Sequence, residues 1–210
     1  MQLVLDLDGT LINSTERHWL LLESILIDKG LNYGFDQNDF LKMKINGCST
    51  KKYCQEILHL PLEIANEINS IWIKHIEDTQ WLRLDVLYDD AIDFLNWCQK
   101  CLYDVWFLTA RSNKDGLIRE LERLDIMKYA KSIYIVDPRN ASEEKTVKLQ
   151  EIKRKGEVVF IGDMESDYKA GGNAGVKTLI LNRGFRSKQY LADAGIESFL
   201  SLDDIKINQL

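Results

Sequence analysis

Short apolar, β-branched runs recur along this chain, each followed by a polar stretch and then by an amphipathic segment of helical length. That alternation belongs to a parallel α/β sheet, because parallel strands need a crossover of a dozen or more residues and a helix supplies it. Strands are expected over 3–7, 104–108, 132–136, 158–161 and 178–181. Helices are expected over 88–101, 113–124, 143–155, 167–174 and 187–194.

The first two strands are separated by roughly a hundred residues, far more than a crossover uses. Something is inserted there, and it reads as helices only, over 14–29, 36–44, 50–58 and 62–79. Asn13 with Glu16 three residues on reads as an N-cap and capping box, Gly30 as the residue that ends the first helix, and Pro61 as the start of the last. The expected architecture is a Rossmann-like core of residues 1–12 and 84–210 carrying a small all-helical cap subdomain of residues 13–83. A chain of 210 residues suits one domain with such a subdomain.

Several function classes fall away. A net charge of −6 with no dense basic stretch argues against a nucleic acid polymer as partner. The most apolar window, 19–27, is interrupted by Glu23 and Ser24 and is too short to span a bilayer, so no membrane association is expected. No signal-like segment follows Met1, so a cytoplasmic protein is expected, a monomer or small homo-oligomer with its four cysteines as free thiols. Cys98-x-x-Cys101 lies within a helical pattern and reads as ordinary packing.

Open parallel sheets bind ligands beyond the carboxyl ends of their strands, so the residues just after each apolar run carry the functional signal. These are Asp6-Leu7-Asp8-Gly9-Thr10, Thr109-Ala110-Arg111, and Gly162-Asp163-Met164-Glu165-Ser166-Asp167. In an extended segment Asp6 and Asp8 project to one side, and Asp163 and Asp167 can face the same spot. Four crowded carboxylates repel unless a cation intervenes, and an all-oxygen anionic set with no His or Cys suits Mg²⁺ together with a substrate phosphate. The charge still left over calls for a nearby cation, for which Lys145 is the candidate, and protonation of Asp8 would relieve it further while supplying a general acid.

Taken in order, Asp6-Leu7-Asp8-Gly9-Thr10, Thr109, Lys145 and Gly162-Asp163-x-x-x-Asp167, followed by Ala170-Gly171 and Ala174-Gly175, resemble the four motifs of the haloacid dehalogenase-like (HAD) hydrolases over essentially the whole chain. The resemblance implies a helical cap inserted just after the first motif, and Asp6 as the nucleophile that forms an aspartyl-phosphate. It implies Asp8 as the acid toward the leaving group and then the base toward water. It implies Mg²⁺ on the Asp6 carboxylate, the Asp8 main-chain carbonyl and Asp163, with Asp167 ligating or supporting. Thr109 and Lys145, with backbone N–H groups after Asp6 and Thr109, would hold the phosphoryl oxygens, and Ala110 and Arg111 are grouped with them as substrate-binding.

A carboxyl at Asp8 marks the phosphatase and phosphomutase branches and makes dehalogenation improbable. The chain departs from the family pattern at Asn13, where many relatives have Asp, at Lys145-Thr146, where many have Lys-Pro, with Lys148 nearby, and at Arg111, where an Asn often follows soon after the motif Thr. The expected function is a Mg²⁺-dependent phosphatase acting on a small phosphorylated metabolite. A phosphomutase with the same chemistry is the nearest alternative, and a non-catalytic binding protein on the same fold a more distant one.

Bland readings stand for the rest. Gly171-Gly172-Asn173-Ala174-Gly175 reads as close helix packing rather than a nucleotide loop. Trp19, Trp72, Trp81, Tyr33, Phe35 and Phe40 read as helix–helix core, and His18, His59 and His75 as core or surface. Arg183 and Arg186, which follow the fifth strand, are further candidate cations for the site.

Overall fold

In the computed structural model, which describes residues 1–31 and 36–208, the first apolar run forms strand β1 (Gln2–Leu5) at the centre of a sheet. β4 (Asp104–Ala110) pairs with it on one side and β5 (Ser132–Val136) beyond that, while β6 (Val158–Gly162), β7 (Lys177–Leu181) and β8 (Ser198–Phe199) extend the other side. All of these pairings are parallel, in the order β5-β4-β1-β6-β7-β8. The chain reverses direction across the sheet at β1, and there the ends of β4 and β6 open the crevice where such sheets bind ligands.

Alternation along the strands sorts the core into two layers. Leu3, Leu5, Val105, Phe107, Val159 and Ile161 pack against α6 (Ala91–Lys100), α7 (Lys114–Arg123) and α11 (Leu202–Asn208) through Phe94, Leu95, Leu117, Leu121, Leu202 and Ile205. Val4, Trp106, Leu108 and Phe160 face α8 (Ala141–Lys153) and α9 (Glu165–Ala174) through Leu149, Ile152, Ala170 and Ala174. α10 (Lys188–Asp193) covers the edge near β8. No helix among the described residues is long and apolar enough to cross a membrane. All four cysteines are free, Cys98 buried and Cys101 exposed.

The inserted segment leaves the sheet through β2 (Ile12–Asn13) and returns through β3 (Val86–Leu87), and these two-residue strands pair antiparallel with each other. Between them run α1 (Thr15–Asp28), α2 (Gln37–Ile45), α3 (Thr50–Glu56), α4 (Leu62–His75) and α5 (Thr79–Leu82). Trp19, Leu22, Leu26, Phe40, Tyr53, Ala65 and Ile68 give these helices a hydrophobic cluster of their own, with Trp72 and Trp81 packed against it. Tyr33 and Phe35 lie outside the described residues.

Three local expectations are corrected. Asn13 does not cap α1; the cap position is Ser14, and the Asn13 side chain accepts instead from the N–H and hydroxyl of Thr15. The long helix expected over 62–79 breaks after His75, where Asp78 accepts from the His75 ring and α5 begins afresh. The first strand ends at Leu5 rather than residue 7, because Leu7 already accepts the turn bonds from Thr10, Leu11 and Ile12.

The glycine cluster packs as expected, through Gly171. A Cβ placed there would lie 1.7 Å from Thr178 Oγ1, so α9 sits flush on β7. Gly171→Ala is expected to destabilise by about 1–3 kcal/mol through overpacking, seen as a lower urea midpoint, whereas Gly172→Ala, which meets nothing within 4 Å, will not.

Candidate active site

Beyond the carboxyl ends of β1, β4 and β6 lies a cavity of about 230 Å³ lined on its sheet side by Asp6, Asp8, Thr109, Ala110, Arg111, Asp163 and Met164. Asp6 follows β1 directly, and its N–H still donates to Ile161 in β6, which keeps the carboxyl end of the strand in register with its neighbour. Lys145 reaches in from the first turns of α8, buried, with Nζ 2.7 Å from Asp167 Oδ1 and 3.1 Å from Asp6 Oδ2. Lys148, by contrast, pairs with Glu151 away from the cavity. Asp167 also closes the turn before α9, accepting from the N–H groups of Asp163 and Met164.

Asp6, Asp163 and Asp167 each place a carboxylate oxygen within 4.8 Å of the others, the one such acidic group among the described residues. The backbone closes tightly round it. Gly9 has φ +73°, and a Cβ on it would stand 2.0 Å from Asp163 Oδ2; Phe185 N–H donates to the same oxygen at 3.3 Å. Burial pushes Asp6 up to about 7 against the pull of Lys145, and drives Asp163 well above the ordinary carboxylate range, with Asp167 and Asp6 adding repulsion. For Lys145, burial is outweighed by Asp167 and Asp6, which hold it above the ordinary lysine range. With all three carboxyls ionised against one lysine, two negative charges are left over, which one divalent cation would cancel. Asp6 Oδ1 is buried with no hydrogen-bond partner, an acceptor such a cation could use.

Asp8 stands apart from this cluster, contrary to the expectation that its carboxylate joins the other three. Beyond Leu5 the chain leaves the strand, and although Asp6 and Asp8 both line the cavity, the Asp8 carboxylate is drawn to arginines instead of to the acidic cluster. The Asp8 carboxylate is bracketed by two arginines: Arg17 Nη2 donates to Oδ1 at 2.7 Å, Arg111 Nε to Oδ2 at 2.7 Å, and Arg111 Nη2 to Oδ1 at 2.8 Å. Burial works to raise its pKa, but Arg111 and Arg17 outweigh it and hold Asp8 below the usual range. The unbound protein therefore favours ionised Asp8, not the protonated form expected from charge crowding. Arg111, expected on the substrate, is turned onto Asp8 and Glu120 while still lining the cavity.

Arg17 was not singled out in the sequence, and it joins the two halves of the site. It lies on α1, buried, and also donates to Asp85 at 3.0 Å and to the carbonyl of Ile76 at 3.0 Å. That carbonyl is presented by the break between α4 and α5. The same break sends Glu77 to the N-terminus of α7, where it accepts from Ser112 and Asn113 N–H at 3.1 and 2.6 Å. His18, read as core or surface, lines the cavity with Trp72, Ile76, Glu77 and Phe185. Burial, with Lys44, Arg17 and Arg111 adding repulsion, drives its pKa well down, so the ring is neutral. Arg183 and Arg186 pair with Asp90 and Glu165 and do not line the cavity.

The family model described as haloacid dehalogenase-like hydrolase matches residues 3–181, from β1 through β7. This chain belongs to the haloacid dehalogenase-like hydrolases. No curated protein matches its sequence. Among solved structures, a predicted phosphatase from Clostridium acetobutylicum aligns at TM-score 0.73 and 19% identity, covering 100% of this chain and 98% of that one. A haloacid dehalogenase-like family hydrolase from Streptococcus pneumoniae aligns at 0.75 and 17%, covering 99% and 98%. A predicted phosphoglycolate phosphatase from Haemophilus somnus aligns at 0.69 and 19%, covering 99% and 97%. At these identities the structures share the fold and carry no substrate across.

Proposed function

We propose that this haloacid dehalogenase-like hydrolase is a Mg²⁺-dependent phosphatase that hydrolyses a small phosphate monoester through a phosphoryl group carried on Asp6. The observation that supports it best is the Asp6 carboxylate: at the foot of the cavity, beside Lys145, with one oxygen lacking any partner. An Asp6 oxygen attacks phosphorus as the ester P–O bond breaks, and a proton from Asp8 goes to the leaving oxygen. Water then attacks phosphorus, its proton passes to Asp8, and the P–O bond to Asp6 breaks to free phosphate. Ionised Asp8, the form its two arginines favour, suits the second step; the first requires that bracket to loosen as Asp8 takes up a proton. Lys145 and the Thr109 hydroxyl bear the phosphoryl oxygens, with backbone N–H groups after Asp6 and Thr109.

Mg²⁺ would sit on Asp6, Asp163 and the Asp8 carbonyl, with Asp167 ligating or supporting, and would supply neutralisation of the charge on the phosphoryl oxygens. Residues 13–83 act as the cap, opening on the Ile12–Asn13 and Val86–Leu87 ribbon to admit substrate and closing to exclude water. Phosphate release from a panel of small phosphoesters, with Mg²⁺ and with EDTA, tests the reading; release unaffected by EDTA would overturn the metal assignment, and no release from any ester the activity.

Metal binding itself gives a separate expected result. Mg²⁺ at a hundredfold excess over its Kd is expected to stabilise the EDTA-stripped protein by about 2.7 kcal/mol, read as a higher Tm. Asp163→Asn should lose most of that increment, since it removes one of the three clustered carboxylates.

A further inference from the structure

The cavity has two unlike sides. Its floor carries the charges that suit a phosphoryl group, while the opposite side, where a leaving group would rest, is built from rings. His18 lies with its ring centroid 4.3 Å from that of Phe185 and 5.0 Å from that of Trp72, whose Nε1 donates to the His18 carbonyl. Ile76 completes this wall.

Cations are present nearby, but they are committed. Every side-chain nitrogen of Arg17 has a partner, in Asp85, Ile76 O and Asp8. Arg111 spends Nε and Nη2 on Asp8 and Glu120; its Nη1 is buried and without a partner, yet the two guanidiniums already face three carboxyl groups and hold no surplus positive charge. Lys44 donates to Thr50 Oγ1, rests over the Trp72 and Phe40 rings, and does not line the cavity. Among the described residues lining the ring side, the one full charge outside this arginine–carboxylate cluster is the carboxylate of Glu77.

A second anionic group on the substrate would be desolvated here beside Glu77 with no counter-ion, a costly placement. A flat apolar face would bury against the rings at no such cost. The cavity of about 230 Å³ is also below the roughly 300–1,000 Å³ of usual ligand sites. We propose that the leaving group of this enzyme's substrate is small and uncharged, and seats a flat apolar face against the wall made by Trp72, Phe185 and His18. This rests on the phosphatase reading above, and it separates this chain from enzymes whose leaving group carries a carboxylate or a second phosphate.

Two matched pairs of esters test it: phenyl phosphate against 4-carboxyphenyl phosphate, and 2-hydroxyethyl phosphate against phosphoglycolate. In each pair the uncharged member is expected to have the higher kcat/KM with Mg²⁺, by about tenfold or more. Trp72→Ala and, as a gentler variant, Phe185→Leu should lower kcat/KM for phenyl phosphate by about tenfold while leaving competitive inhibition by inorganic phosphate within about twofold. Equal or better turnover of the carboxylate member in either pair overturns the proposal, as does loss of inorganic phosphate inhibition in parallel with the ester. Equilibrium binding of the same four esters to Asp6→Asn protein keeps the two readings apart. Preferential binding of the uncharged esters without turnover by the parent would sink the phosphatase activity and leave the leaving-group assignment standing; binding of none would sink both.

Discussion

Asp6→Asn will lower phosphate release by about 10⁴-fold or more and leave a folded protein, because the amide cannot attack phosphorus and nothing else near the phosphoryl position is a nucleophile of comparable placement. Thermodynamics should move the other way from activity. In the metal-free protein the Asp6 carboxyl sits at about 7 against an ordinary value of 3.8, so its ionisation is opposed in the fold and unopposed in the unfolded chain. Below pH ~4 the group is protonated in both states and costs nothing; the cost grows as pH rises and is complete above ~7, with an upper bound of about 4 kcal/mol. Asn retains the oxygen that accepts from Lys145, which keeps its bond to Asp167 as well. In EDTA at pH 8 the variant is therefore expected to be more stable than its parent by about 1–2 kcal/mol after the weakened Lys145 pairing is allowed for, and at pH 4 to show no advantage. Saturating Mg²⁺ should reverse the order at pH 8, since the metal stabilises the parent and has one carboxylate fewer in the variant. Denaturant titrations at the two pH values, with and without metal, measure all of this. A variant that releases phosphate at the parent's rate would remove Asp6 from the chemistry, and one that is less stable in EDTA at pH 8 would remove the charge argument.

What was legible in the sequence is what short-range periodicity encodes. β5 was expected at 132–136 and lies there, because a run of apolar and β-branched residues bounded by polar ones has few other uses in an α/β chain. Lys145 could be singled out because it opens the helix before β6, and in the structure it reaches Asp6 and Asp167. β2, β3 and β8 were missed, since two residues carry no period, and each strand exists only because of a distant partner. The surroundings of Asp8 were misjudged for a related reason. Its environment depends on Arg111, more than a hundred residues away, and on Arg17, whose burial needs Asp85 from the far end of the insertion. Nothing in the sequence distinguishes Arg17 from any other charge on a helix. Ile76 and Glu77 reach the cavity beside His18 where α4 stops at His75, a break that helical periodicity running on through residue 79 conceals.

Arg17 is where packing and chemistry meet, and its loss is expected to be felt in both. Arg17→Ala strips Asp85, which is wholly buried, of its nearer guanidinium partner, leaving it Arg111 at 3.8 Å, and leaves the Ile76 carbonyl unpaired, at a cost of about 2–4 kcal/mol read from the urea midpoint. Asp8 keeps Arg111 but loses the bond that comes from the insertion, so its carboxylate is held from one side only. A proton delivered by Asp8, as proposed above, would matter in proportion to how poorly the leaving group departs as an anion. Misplacing Asp8 should accordingly lower kcat for an alkyl phosphate by about 10²-fold and for p-nitrophenyl phosphate, whose leaving group needs no proton, by several-fold only. Arg17→Lys, which keeps the charge but not the three-way reach, should recover part of the stability and little of the selectivity between the two esters. Equal losses on both substrates would reduce Arg17 to a packing residue. The unequal loss would show something further. α1 follows the β2 ribbon, so a motion that lifted the insertion from the core would carry Arg17 off Asp8, and the proposed acid–base group would then be correctly oriented only with the cavity shut.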